Sequence, residues 1–191
     1  MITQEEYDKK AKSYKMLLWF GMISVVMMFA GFTSAYVISK SRPDWLNDFQ
    51  MPSAFLFSTI VILISSITFH FAVKGVKENK LAKTSAMLWL TFALAIVFIV
   101  LQFVGFGQVI ESGLYFTGTE STITTSFLYI VVIVHLAHLI GGMISLLIVI
   151  YNNYKQKYNQ AQHVGIELSA TFWHFLGLLW LYLFLFFSFY K

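Results

Sequence analysis

Five stretches of this sequence are apolar for about twenty residues or more: 16–39, 52–73, 84–110, 122–151 and 168–190. Each is long enough for a helix rising 1.5 Å per residue to cross a hydrocarbon core of about 30 Å. All 22 Asp, Glu, Lys and Arg residues fall outside them. A helix in a soluble protein needs a polar stripe of its own, so segregation this complete predicts helices that face lipid. The strands of a membrane β-barrel would be about half as long. The pattern therefore predicts an all-α integral membrane bundle of five transmembrane helices, forming one domain over 1–191. The connections are short, which predicts mostly antiparallel neighbours. The first apolar run is too long for a signal peptide and lacks a cleavage-type ending, so the first helix is expected to stay in the mature protein.

Composition adds exclusions. The chain is 58% hydrophobic and only 12% charged, against roughly 25% charged in a soluble domain. It has no cysteine, which removes disulfides and thiolate metal sites. The net charge of +4 is accounted for by topology. Ten of the 13 Lys and Arg residues lie in the N-terminal tail and in the second and fourth connections, among them Lys15, Lys77 and Lys157. The other three, Lys40, Arg42 and Lys191, lie on the opposite side. This asymmetry predicts a cytoplasmic N-terminus and a periplasmic C-terminus. It gives no reason to expect nucleic acid as a partner; membrane lipids are the surroundings.

Few side chains inside the runs can carry chemistry, and several fall in 163–180. Glu167 and His174 are seven residues apart, about two turns, and so share a helix face; Trp173 and Trp180 repeat that interval on a neighbouring stripe. His135 and His138 lie deep in the fourth run, three apart on one side. Three deep histidines with Glu167 raise the prospect of a metal or haem site. Depth speaks against it, since His138 falls near mid-membrane while His174 is only about 9 Å inside the cytoplasmic boundary. The competing reading is of neutral histidines that hydrogen-bond across helices and lock the bundle. Other features have structural explanations: His70 can snorkel to the interface, and Glu167 suits the first turn of a helix. Trp19, Trp173 and Tyr190 fit an aromatic belt. Small pairs, Ala30 with Ser34, Gly31 with Ala35 and Gly141 with Ser145 beside Gly142, are expected to mark faces that touch protein. Pro43 and Pro52 are the only prolines and sit in a loop and at a helix start, not at the breaks of a transporter's discontinuous helices.

The same residues carry a family resemblance. Gly165-x-Glu167, then Trp173-His174-Phe175 and Trp180, resemble the final-helix signature of the cytochrome c oxidase subunit three family. His135-Leu136-Ala137-His138, closing at Gly142, looks like that family's His-Gly-Leu-His, and Leu101-Gln102 resembles a further element. Trp19 through Phe29 to Tyr36 fits the opening helix of its five-helix forms. The resemblance implies a non-catalytic subunit of a proton-pumping haem-copper oxidase in a bacterial cytoplasmic membrane. Such a subunit binds no cofactor itself, and haem and copper are expected in partner subunits. Its expected partners are the large catalytic subunit, other oxidase subunits and lipids. Its expected role is to support assembly, proton uptake and stability, with Glu167, His174, His135 and His138 as a polar patch and Trp173 and Trp180 as an aromatic signature. In that role His135 and His138 tie the fourth helix to its neighbours. A quinol oxidase subunit or a self-contained bis-histidine membrane cytochrome are the alternatives. The chain departs from the family pattern at Val25, at Gly105-Phe106 and at Gly177, where many members carry polar groups. Set against the seven-helix members, its five runs are expected to correspond to the last five helices, so the lipid-filled cleft of those members is not carried over.

Overall fold

The computed structural model describes residues 3–42, 45, 51–113, 116, 122–159 and 162–190; Pro43 and Lys191 lie outside them. Among these residues five α-helices form, α1 (Gln4–Ile38), α2 (Ser53–Lys77), α3 (Leu81–Glu111), α4 (Ile123–Tyr154) and α5 (Val164–Phe189), with a 3-10 turn at Ser39–Ser41 after α1. All five are long and apolar enough to cross a membrane.

Each helix runs past its apolar stretch, α1 by twelve residues at its start. Apolar runs report the part in lipid, whereas helix ends are set by local hydrogen bonding. At the start of α1, Thr3 Oγ1 accepts from the Glu6 amide at 3.3 Å and the Thr3 amide donates to Glu6 Oε2 at 3.2 Å, a capping box that satisfies two otherwise orphaned donors. Lys9 and Glu5 pair one turn apart at 2.8 Å, which lends the polar turns a little support. At about 52 Å, the 35 residues of α1 exceed the hydrocarbon thickness, so its basic first turns project beyond it. Thr122 and Thr125 form the same box at the start of α4.

Helices α2 and α3 form a hairpin. Its turn is sealed by Lys80 N donating to Gly75 O at 2.8 Å and by Asn79 at φ +56°, a left-handed conformation that asparagine tolerates. The crossing is close because Gly75 has no side chain; a Cβ there would lie 2.6 Å from Thr84 Oγ1. Helix α5 packs on α2 and α4, α3 packs on α4, and α1 lies outside, against α4 and α5. The start of α1, the α2–α3 turn, the end of α4 and the start of α5 therefore share one charged end.

Helix α1 buries a narrow stripe, Met22, Phe29 and Tyr36, spaced by seven. Thr33 on that side accepts a hydrogen bond from the Tyr182 hydroxyl at 3.1 Å. The small residues meet the packing expectation unevenly. At Gly142 a Cβ would lie 2.8 Å from Leu176 Cδ1 and 3.3 Å from Trp173 Cε3, and Ser145 donates to Ser169 Oγ at 2.9 Å. Gly31 and Gly141 have open space instead, and Ala30, Ser34 and Ala35 are exposed. Spacing alone marks a small-residue face but not the side of the helix on which a neighbour lies.

Candidate functional site

A cavity of about 370 Å³ opens at the charged end between α1, α2 and α5, lined by Lys15, Trp19, His70, Lys77, Glu167 and His174 among others. Glu167 is its electrostatic centre. Its Oε1 lies 2.7 Å from Lys77 Nζ and 3.2 Å from His163 Nε2, and its Oε2 lies 3.2 Å from Lys15 Nζ. One carboxylate in the first turn of α5 thus ties α1 and α2 to α5, with the helix N-terminus favouring its charge. The lysine side chains are 51% exposed, so each pair contributes only about 0–1 kcal/mol to stability. Their larger effect is to fix the carboxylate at the cavity wall.

His174 lies deeper, its ring centroid 6.4 Å from that of His70 and 6.5 Å from that of Phe69. Its Nδ1 is hydrogen-bonded to Ser66 Oγ on α2. Glu167 and His174, paired by spacing in the sequence, do line one cavity, while His135 and His138 are not among its lining residues. Sequence reasoning missed Lys15, Lys77 and Ser66 and gave His70 no part in a site. The lysines and His70 lie at or near the ends of the apolar runs, where interfacial residues are ordinary, and no spacing rule links residues on three separate helices.

A family profile described as cytochrome c oxidase subunit III matches residues 7–191. The chain belongs to that family. It is 28% identical over 188 residues to the cytochrome c oxidase subunit 3 of Petromyzon marinus, covering 90% of this chain and 67% of the relative. It is 25% identical over 167 residues to the cytochrome c oxidase subunit 3 of Thermostichus vulcanus, covering 85% and 80%. It is also 25% identical over 184 residues to the cytochrome bo(3) ubiquinol oxidase subunit 3 of Buchnera aphidicola subsp. Acyrthosiphon pisum, covering 94% and 88%. Subunit III is a component of haem-copper oxidase complexes. Among the described residues of this member, no three His, Cys, Asp or Glu side chains converge as a metal ion requires.

In this family member Trp173 and Trp180 are placed by α2. Trp173 Nε1 donates to Ser65 Oγ at 3.2 Å, and Trp180 Nε1 donates to Thr59 Oγ1 at 3.0 Å. All four residues are buried. The hydroxyls pass the bonding on: Thr59 donates to Phe55 O at 2.8 Å and Ser65 to Thr91 O at 3.4 Å. An indole N–H carried into an apolar interior needs an acceptor, so the two tryptophans require hydroxyls at these points on α2. Trp173 is therefore a core anchor and not a belt residue; Trp19, 60% exposed, keeps the interfacial position. Gln102 extends the seam, donating from Nε2 to Ser58 Oγ at 2.9 Å.

The expectation that His135 and His138 hydrogen-bond across helices is corrected. His138 donates from Nδ1 to Val134 O of its own helix at 2.8 Å. His135 is fully buried, and among the described residues neither ring nitrogen is hydrogen-bonded. Its neighbours are Phe29 at 6.4 Å, Phe98 at 6.3 Å and Trp180 at 5.2 Å between centroids. Those side chains offer ring edges and faces, and the indole N–H is already committed to Thr59. His174 is the histidine of the three that bonds to another helix.

The departures from the family pattern also have a physical setting. A Cβ at Gly105 would lie 2.6 Å from Phe55 Cε1, so the Phe55 ring fills the space a side chain would use. Gly177 is buried, and a Cβ there would make ordinary contact with Ile62 at 3.6 Å.

Proposed function

We propose that this chain is the non-catalytic subunit III of a proton-pumping oxidase of the cytochrome c type, in a bacterial cytoplasmic membrane. Its N-terminus and charged end face the cytoplasm, in keeping with the ten basic residues on that side. Haem and copper belong to the large partner subunit, and this chain supports that subunit's assembly, stability and proton uptake. The observation that carries the reading is the cavity at the charged end, where Glu167 is held by Lys15 and Lys77 and shares a wall with His174 and His70. Titratable side chains around a small opening, backed by an apolar bundle, can gather and exchange protons at the membrane surface.

Glu167→Gln preserves shape and removes the charge. In the assembled enzyme it is expected to slow proton uptake or hasten loss of activity during turnover by several-fold, with the complex still formed. Unchanged turnover, lifetime and complex yield would sink the proposal. A second reading, a quinol oxidase subunit, draws on the Buchnera relative, which matches this chain over most of both lengths. Mild-detergent purification of the native complex, followed by turnover with reduced cytochrome c or with quinol, separates the two.

A further inference from the structure

We propose that Ser66 is a positioning residue for His174, holding the neutral imidazole as the Nε2–H tautomer so that it presents a hydrogen-bond donor to the cavity. The inference rests on the functional reading given to that cavity. A neutral imidazole has one donor nitrogen and one acceptor nitrogen, and the partner of one determines what the other can do.

Three observations carry the assignment. The bond to His174 Nδ1 is the only hydrogen bond Ser66 makes among the described residues; a hydroxyl accepting from Nδ1–H would leave its own proton without an acceptor there, so the proton is assigned to the bond with Nδ1. That leaves Nε2 with the ring proton. His174 lines the cavity and Ser66 does not, so the hydroxyl holds the ring from behind while the ring meets the opening. Finally, α5 cannot readily turn to break the contact. The preceding residue, Trp173, is bonded to Ser65, the neighbour of Ser66 on α2, and it abuts Gly142 of α4 on another side. Two adjacent hydroxyls of α2 thus hold two adjacent residues of α5, one as an anchor and one as a setting for the imidazole.

The charged and titratable groups around the ring are Lys15 on α1, His70 and Lys77 on α2, and Glu167 on α5. Helix α4 meets this part of α5 through Gly142 and Ser145, neither of which titrates. With the ring held as Nε2–H, the cavity wall carries donors from two lysines and the imidazole against the single carboxylate of Glu167.

The test is nitrogen NMR of the full chain, labelled with ¹⁵N-histidine, in lipid bilayers. The chain has five histidines, and the His174 signals are assigned by their loss in His174→Gln. Wild type is expected to show a protonated Nε2 and a hydrogen-bonded, unprotonated Nδ1. Ser66→Thr, which keeps the hydroxyl, should preserve that pattern, and Ser66→Ala should convert it to a mixture of tautomers. An Nδ1–H tautomer in wild type, or an unaltered pattern in Ser66→Ala, overturns the proposal. The pH profile of turnover in the assembled oxidase is the second readout, expected to move in Ser66→Ala and be restored in Ser66→Thr. A tautomer change with an unmoved profile upholds the positioning role and overturns the reading of the cavity. A profile that moves equally in both variants overturns the positioning role.

Discussion

His174 and His135 are imidazoles of the same bundle, held in opposite ways. His174 lies on the α2–α5 seam, where hydroxyls of α2 meet polar atoms of α5 one by one: Thr59 with Trp180, Ser65 with Trp173 and Ser66 with His174. His135 lies on the other side of Trp180, among Phe29, Phe98 and the indole ring, with no hydrogen bond. Lipid tails are as apolar as a bundle's own side chains, so helices here gain little from apolar burial and depend on close packing and on hydrogen bonds between helices. The α2–α5 seam relies on both. The aromatic nest relies on packing, and its histidine serves as one ring among others. Polar character in a membrane helix is therefore not itself a sign of chemistry; the partner on the facing helix decides.

Trp180 joins the two regions, so removing it should give the largest effect. Its ring packs on His135, Phe98 and Phe55, and its N–H bonds to Thr59. Trp180→Ala is expected to lower stability by about 3–5 kcal/mol, the range for truncating a large buried aromatic, measured by the midpoint of denaturation in mixed micelles followed by helical circular dichroism. A loss under about 1 kcal/mol, well short of that range, would mean that the two regions are not coupled through this ring.

Exchanging each histidine for phenylalanine sharpens the contrast at a smaller scale. His135→Phe removes a buried polar ring that makes no hydrogen bond and should leave stability unchanged or raise it by about 1 kcal/mol. His174→Phe deprives Ser66 of its partner and should cost about 1 kcal/mol. The same denaturation midpoints decide, and the opposite order would mean that the His135 ring stabilises the bundle through a hydrogen bond and not through packing alone.

The two regions were not equally legible in the sequence. The five spans were, because charge segregation is a one-dimensional signal and the bilayer sets its length. Helix ends such as 4–15 were not, since a capping box extends a helix into polar sequence that an apolar count discards. Glu167 and His174 could be paired because both lie on α5 at helical spacing. Ser65 and Ser66 stood out only as polar positions in an apolar run: a serine in an apolar helix can bond its own backbone, and which hydroxyls face α5 depends on rotations that no single helix specifies. Trp173 passed for a belt residue by its position near an end, although its indole faces inward. His135 and His138 look alike in spacing and both pack against Phe29, yet only His138 reaches an acceptor, the Val134 carbonyl one turn back on its own helix.

The smallest effect expected is also the most specific to the polar seam. Thr59→Val keeps the shape of the side chain and removes the acceptor for Trp180 Nε1, while Phe55 O retains the backbone hydrogen bond of its own helix. Single interhelical hydrogen bonds in membranes average about 0.6 kcal/mol, well below the cost of an unpaired buried donor in a soluble core, because the unfolded chain in the membrane also finds partners. A loss of about 0.6 kcal/mol in Thr59→Val, absent when Trp180 is already Phe, would establish that the bond acts as a pair. If the loss persists in the Trp180→Phe background, the hydroxyl stabilises α2 by itself, and the hydroxyl–tryptophan matching sets helix register rather than stability.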